Sequence, residues 1–220
     1  MPDALELDHV FVCAPRGSND SALLENAGFC CGMNRIHSGQ GTANANFYFD
    51  NAYLELLWLR DEAEARSPVV APMSLWERLQ WPETRACPFG VALRTRTPSR
   101  FSTWEYAAPF LPPGTAIQIV TPRDSDTEPL VFLSPASMAP LDYPPERKVP
   151  LKQKGESRRL QKVHIQTPTG RFSPETGKVI ATGLLTIERG KDYHMQLEFD
   201  PGLNCENLDF RPYLPLSIRW

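Results

Sequence analysis

Two residues of the types that bind divalent metals lie on predicted strands in the first quarter of the chain. His9 belongs to the run LDHVFVC, and Glu55 belongs to the run YLELLWL that starts at Tyr53. If the two strands are neighbours, directly opposite β-carbons lie roughly 4.5–5.5 Å apart, which is close enough for both residues to bind one metal ion. The same pair also suits an ordinary hydrogen bond on a half-exposed sheet, and both interpretations stay open.

The elements around His9 predict a strand followed by a short helix. Strand alternation between Leu7 and Cys13 puts half of the residues on the face of His9, namely Leu7, His9, Phe11 and Cys13. A helix is expected next, with Ser18 or Asn19 as its N-cap and Gly28 as its stop. Residues 29–35 predict a weak edge strand.

Glu55 lies in the stretch 36–59, IHSGQGTANANFYFDNAYLELLWL. A two-residue turn at Asp50 and Asn51 pairs Asn46 with Glu55 across a hairpin. One face is then apolar, formed by Ala45, Phe47, Phe49, Ala52, Leu54, Leu56 and Trp58. The other face carries Asn44, Asn46, Tyr48, Tyr53, Glu55 and Leu57. The pattern predicts a helix packed on the apolar face, a cleft over the polar face, and a βαβββ unit over residues 1–60.

The remaining chain predicts an α+β protein with a second, incomplete unit. Residues 61–87 are expected to be a linker with a short helix at 74–80. Residues 88–134 predict a βαββ unit with strands at 89–95, 115–121 and 129–134 and a helix that starts at Thr97 and carries Trp104 and Tyr106. Residues 135–158 predict an extended connection. Residues 159–220 predict a β-rich segment packed on the same domain, with strands at 160–167 and 214–220 and a hairpin of 184–188 with 193–199.

Composition excludes several function classes. The chain has 220 residues, 22 prolines, five cysteines and a net charge of −3. The odd cysteine count and the adjacent Cys30 and Cys31 are not typical of a disulfide framework. No apolar run is long enough to cross a membrane, and no continuous basic footprint favours nucleic acid. The sequence therefore predicts a soluble cytoplasmic protein with a small-molecule partner.

The motifs carry a family resemblance. LDHVFV followed by IHSGQGTANANFYFDNAYLELL resembles glyoxalase-like members of the vicinal oxygen chelate superfamily. The resemblance implies paired βαβββ modules that form a half-open barrel around a divalent metal such as Zn, Ni, Mn or Fe. His9 and Glu55 match the metal-ligand positions. The family's turn motif is matched by His37, Gly39, Gly41, Thr42 and Asn44.

This resemblance implies a substrate site around the glycine-rich turn. His37 suits a proton shuttle, although it also suits a turn residue that caps its own backbone. Gly39 and Gly41 allow positive φ angles that bring backbone N–H groups near a ligand. The predicted substrate contacts are Gly39, Gln40, Gly41, Thr42, Asn44, Asn46, Tyr48 and Arg94.

The second unit departs from the family pattern. Its first strand places Gly90, Ala92 and Arg94 at the cleft-facing positions, and residues 129–134 contain no carboxylate. Either the tail supplies further metal ligands through His164 and Glu198, or no metal binds and Arg94 holds an anionic group.

Three functions follow as hypotheses. The first is a metal-assisted enzyme that performs proton transfer or bond cleavage on a small oxygenated molecule. The second is a non-catalytic protein that sequesters a small molecule in the same cleft. The third is an interaction scaffold whose polar face is covered by a second copy, and a homodimer is compatible with all three.

Overall fold

A computed structural model describes residues 5–95, 101–135, 138–154, 159–199 and 206–220. Within these ranges the chain is mixed α/β with two sheets. The strands are β1 (Glu6–Cys13), β2 (Asn34–His37), β3 (Thr42–Tyr48), β4 (Tyr53–Leu59), β5 (Phe89–Arg94), β6 (Trp104–Tyr106), β7 (Ile117–Ile119), β8 (Leu130–Leu133), β9 (Leu160–Thr167), β10 (Leu185–Arg189), β11 (His194–Phe199), β12 (Asn207–Asp209) and β13 (Leu216–Arg219). The helices are α1 (Ser18–Asn26), α2 (Glu62–Ala65), α3 (Leu75–Leu79), α4 (Trp81–Thr84) and α5 (Pro174–Ile180).

The larger sheet has eight strands in the order β2-β3-β4-β1-β5-β8-β7-β6. It is open, with β2 and β6 as its edges. The order is mirrored about the antiparallel pair β1–β5, since each half places its last strand beside its first. We call β1, α1 and β2–β4 the first module and β5–β8 the second module. The α+β class and the paired arrangement are therefore confirmed.

The first module follows the predicted pattern closely. In the β3–β4 hairpin, Asn46 pairs with Glu55 and Tyr48 with Tyr53, as the two-residue turn requires. The strand near residues 29–35 instead begins at Asn34. A register shift between Leu7 and His9 moves Leu7 into the core, so the prediction that both share a face was wrong.

Helix α1 begins at Ser18, but its N-cap is Gly17, so the predicted Ser18 or Asn19 cap was wrong. The chain folds back before the helix because the backbone N–H and the Nε–H of Arg16 donate to Asp20 at 3.0 and 2.7 Å. Gly28 has φ +98° just after the helix, which confirms it as the stop.

The second module repeats the strand order of the first: outward from the β1–β5 pair, the strands run β1, β4, β3, β2 on one side and β5, β8, β7, β6 on the other. The helix predicted from Thr97 was wrong where the structure describes it, because Trp104–Tyr106 form edge strand β6 paired with β7. Alternating aromatic residues with Glu105 between them suit a strand with one buried face. Thr97 itself lies outside the described residues.

Residues 61–87, predicted as a linker, contain three short α-helices and a 3₁₀ turn at Ala71–Met73. Buried Arg78 fastens them to the sheet, because its guanidinium donates to Met73 O, Cys87 O and Glu128 O at 3.2, 2.9 and 2.8 Å and also to Ser125 O. These helices therefore pack as part of the domain.

The smaller sheet has the order β10-β9-β11-β13-β12. The predicted hairpin of β10 with β11 was wrong, because β9 lies between them, parallel to β10 and antiparallel to β11. Residues 160–167 form the strand that was predicted there.

The main core lies between the two sheets, where the smaller sheet and α1 together cover the apolar face of the hairpin. The ring centroids of Phe49 and Phe199 lie 4.4 Å apart in this core. Among the described residues, no helix is long and apolar enough to cross a membrane.

Candidate functional site

A cavity of about 190 Å³ opens on the face of the larger sheet opposite α1 and the smaller sheet. The first module gives one end of the cavity a polar lining, which we call the polar end: His9, Arg35, His37, Gln40, Asn44, Asn46, Tyr48, Tyr53 and Glu55. The opposite part, the apolar end, is lined mainly by the second module and by residues from the helical segment and its neighbours: Met73, Leu75, Phe110, Leu111, Ile117, Ile119, Leu130 and Phe132. A molecule held in this cavity meets hydrogen-bonding groups on one side and hydrocarbon on the other.

At the polar end, Asp8, His9 and Glu55 form a chain of buried polar contacts. His9 Nδ1 lies 2.6 Å from Asp8 Oδ1, and His9 Nε2 lies 3.8 Å from Glu55 Oε2. Because an ionised carboxylate only accepts hydrogen bonds, a neutral His9 ring carries its proton on Nδ1 and leaves Nε2 as an acceptor. Tyr53 stacks on the His9 ring with centroids 4.4 Å apart, which fixes the ring plane.

Asn44 orients the Glu55 carboxylate from the neighbouring strand. Its Nδ2 donates to Glu55 Oε1 at 2.6 Å, while its Oδ1 accepts from the backbone N–H of Arg35 at 2.8 Å. Asn46 stands directly opposite Glu55, and its Nδ2 donates to Met33 O at 2.9 Å. These amide groups give the polar end a fixed pattern of donors and acceptors.

His37 is buried beside this pattern. Its Nδ1 lies 2.9 Å from Thr42 Oγ1, and its ring stacks on Phe110 with centroids 4.5 Å apart. Burial lowers the pKa of His37 below its ordinary value, and Glu55 opposes the effect only in part. His37 is therefore a neutral imidazole at pH 7, as an acceptor or proton-shuttling group requires.

Gln40 links the two modules behind His37. Its Nε2 donates to Thr42 Oγ1 and its Oε1 accepts from the Tyr106 hydroxyl, both at 2.9 Å. Thr42 is fully buried and contacts His37, so both Gln40 and Thr42 help to position that ring.

The glycine turn has a partner elsewhere in the chain, Glu64. Gly39 and Gly41 have φ +79° and +78°, as the motif predicts. Their backbone N–H groups donate to one oxygen of Glu64, Oε2, at 2.8 and 3.0 Å. A β-carbon on Gly41 would lie 2.2 Å from Asp61 O, so the turn packs tightly on α2. The structure thus places these N–H groups on a carboxylate of the protein itself.

Arg94 does not line the cavity. It is buried, with its guanidinium 3.0 Å from both Glu6 Oε2 and Asp8 Oδ2, and it also donates to Asn51 O at 3.1 Å. Arg94 thereby holds Asp8 beneath His9, which is a positioning role and not the anion-binding role suggested from sequence.

His164 and Glu198 lie on the far side of the smaller sheet. Their neighbours in sequence, Val163, Ile165 and Leu197, face the core between the sheets, so alternation turns His164 and Glu198 outward. There they bond each other, with His164 Nε2 and Glu198 Oε2 3.0 Å apart. The suggestion that they complete a metal site in the cleft was wrong.

Residues 7–108 match the family model described as the glyoxalase-like domain, a little under half of the chain. Over these residues the chain is similar to a glyoxalase-like domain. The match covers the first module and part of the second, and it agrees with the vicinal oxygen chelate superfamily named from the motifs.

A solved structure shares the fold over almost the whole chain. A crystal structure of a hypothetical protein from Staphylococcus aureus matches with a TM-score of 0.59 at 11% identity, and the match covers 97% of this chain and 98% of that chain. No curated protein sequence matches significantly. The smaller sheet is therefore part of an arrangement that a solved protein shares.

Relatives of the glyoxalase-like domain often use divalent metals, so we tested the donor set. His9 and Glu55 supply two donors beside the cavity. Within the described ranges, no group of three or more His, Cys, Asp and Glu side chains is placed to hold a metal. Because catalytic zinc sites keep three protein ligands, this donor set does not fit a complete site of that kind.

Two cavity features were missed from sequence. Asp8 faces away from the cavity in simple alternation, and only the register shift at its position brings it against His9. Tyr143 enters the lining from the connection at 138–154, where the backbone N–H of Leu141 donates to Asp50 O at 3.0 Å. A chain contact of that kind leaves no local signal in the sequence.

Proposed function

We propose that this protein binds a small amphipathic organic molecule in the cavity between its two modules. The observation that carries the proposal is the divided lining, with hydrogen-bonding groups of the first module facing hydrocarbon of the second. Small-molecule sites are typically concave and mostly apolar with a few placed polar groups. Of the hypotheses drawn from the sequence, a binding protein with an incomplete metal site agrees best with this arrangement.

A pair of isoleucine substitutions tests the proposal. Ile117 is half-buried and lines the apolar end, so Ile117→Trp fills part of the cavity. Ile187 is also half-buried on a strand, but it packs against the core between the sheets. After a fragment screen by NMR, we expect Ile117→Trp to abolish binding of the hits and Ile187→Trp to retain it. Hits that bind both variants equally would place the binding elsewhere.

A second candidate is metal-independent proton transfer on the bound molecule. The Asp8–His9 contact favours it, because a carboxylate on Nδ1 holds the ring in the tautomer whose Nε2 is free to accept a proton. His9 Nε2 would accept a proton from a carbon or hydroxyl of the substrate. Incubating bound hits in deuterated water tests this by NMR, with C–H exchange expected in the native protein and lost in His9→Gln. Equal exchange in both proteins would refute it.

Metal binding is not part of this proposal, and a titration measures it directly. With His9 and Glu55 as the two donors, we expect zinc, nickel, manganese and iron(II) to bind weakly and to be removed by desalting. A stoichiometric ion that survives desalting and disappears in the His9→Ala/Glu55→Ala double variant would show that the pair holds a metal after all. The homodimer and the cytoplasmic location remain predictions. Light scattering measures the oligomeric state.

A further inference from the structure

The polar end of the cavity contains hydrogen-bond acceptors that no donor in the described part of the chain satisfies. Glu55 accepts from Asn44 on Oε1, whereas its Oε2 lies 3.8 Å from His9 Nε2, which is beyond hydrogen-bonding distance. His9 Nε2 is itself an acceptor while the ring donates from Nδ1 to Asp8. A donor nitrogen placed to one side of this pair can therefore reach both acceptors.

A third acceptor lies directly across the strand pair. Asn46 is 2% exposed, and its Nδ2 donates to Met33 O and to the Tyr48 hydroxyl, which fixes the amide orientation. Its Oδ1 is buried, and no group in the described part of the chain donates to it. Since a buried acceptor without a partner costs free energy, a ligand that brings a donor to this end recovers that cost.

The charges near Glu55 are not balanced within the protein. Arg94 is already paired with Glu6 and Asp8. Arg35 and Arg147 also line the cavity, but both are exposed, so water and salt screen them. The pKa of His37 is lowered by burial, which leaves that ring neutral. Among the described residues, the 6% exposed Glu55 carboxylate forms no ion pair with a lysine or an arginine, and its contact with His9 spans 3.8 Å.

Aromatic rings complete the surroundings. Tyr48 and Tyr53 line the polar end and Tyr143 lines the cavity beside them, with the Tyr48 ring centroid 5.2 Å from that of Tyr53 and 6.5 Å from that of Tyr143. Aromatic faces attract cations through the ring quadrupole, and Arg147 already lies 4.7 Å over Tyr143 at the rim. Rings next to an unbalanced carboxylate favour a positively charged head group.

We propose that the ligand of this cavity carries a primary or secondary ammonium group that donates to Glu55, Asn46 and His9. This inference rests on the proposed small-molecule function and names its ligand class. The hydrocarbon or aromatic body of the ligand lies against Ile119 and Phe132 at the apolar end. The class differs from the vicinal oxygen compounds that the family resemblance implies, because those present acceptors.

The experiment compares four probes with one aromatic body on the full-length protein: phenethylammonium, phenethyl alcohol, phenylacetate and phenylpropanedione, a neutral vicinal dicarbonyl. Calorimetric titration at neutral pH is expected to give phenethylammonium an affinity at least about tenfold above that of the alcohol, with the other two weaker still. Glu55→Gln removes the charge and keeps the shape. It is expected to lose about tenfold in ammonium affinity and to leave the alcohol within about twofold.

Glu188→Gln is the matched control, since Glu188 is exposed on the smaller sheet and pairs with Gln166 there. It is expected to bind all four probes like the native protein. If Glu55→Gln does not fold, Asn46→Ala removes the third acceptor and is expected to reduce the ammonium preference. A tighter carboxylate or dicarbonyl, or an unchanged preference in Glu55→Gln, overturns this inference alone. Absence of binding by all four probes, with no hit that Ile117→Trp excludes, overturns the proposed function as well.

Discussion

Replacement of Glu64 by alanine is the sharpest test of how the glycine turn is held. The change removes the carboxylate that accepts from Gly39 N and Gly41 N at 2.8 and 3.0 Å. Hydrogen bonds to a charged group contribute about 1.5–3 kcal/mol each. Glu64 is only half-buried, so water replaces part of the loss. We therefore expect the free energy of unfolding to fall by about 2–3 kcal/mol.

The same short helix provides the control. Glu62 pairs with Arg66 at 2.9 Å, but both side chains are more than half exposed. Because exposed pairs contribute about 0–1 kcal/mol, Glu62→Ala is expected to change stability little. Urea unfolding followed by tryptophan fluorescence measures both variants, and for a chain of this size the expected loss lowers Tm by about 5–10 °C. If Glu64→Ala and Glu62→Ala differ by less than about 0.5 kcal/mol, the turn is held by its packing and not by this carboxylate.

Three further outcomes follow from the structure. Burial lowers the pKa of His37, so the folded protein binds a proton at this ring less readily than the unfolded chain does. The contribution of His37 to stability is therefore full above a pH of about 6.5 and falls toward pH 5. The plot of Tm against pH should be flatter in His37→Gln. Gly90→Ala places a β-carbon 2.0 Å from a neighbouring aromatic ring and should lower the free energy of unfolding by about 1–3 kcal/mol. Gly177→Ala within α5 should raise it by about 0.5–1 kcal/mol. Urea unfolding measures both changes. Arg94→Met leaves buried Asp8 without its cation and should cost about 3–5 kcal/mol by the same assay, and a loss below about 1 kcal/mol contradicts the positioning role.

Local pattern was enough to predict the half of the cavity that the first module provides. The β3–β4 pairing follows from period-two alternation around a two-residue turn, and both signals lie within 20 residues of each other. Asn46 opposite Glu55 is a direct result. The register shift beside His9 left no such signal, and it is this shift that brings Asp8 into the site.

The pairing errors in the tail have one cause. Ser173 caps α5 by accepting from the backbone N–H of Thr176, and Pro174 begins the helix. That combination is a standard start signal for a helix. Recognising α5 between β9 and β10 would have given a parallel βαβ unit, which excludes the predicted hairpin.

Contacts between distant residues could not be predicted. Glu64 lies more than 20 residues from the glycines that it binds, and Tyr143 reaches the cavity from beyond the second module. Both contacts depend on how distant segments pack together, and no local pattern in the sequence specifies which segments meet.

The mirrored strand order also has a consequence for how ligand preference can change. The boundary between β1 and β5 separates the polar lining from most of the apolar lining. The head group and the body of a ligand are therefore recognised by different modules. Substitutions on the two sides should have additive effects on affinity where the residues do not contact each other, which leaves out pairs such as His37 and Phe110. The domain can therefore change its preference for the head group of a ligand while it keeps its preference for the body, or the reverse.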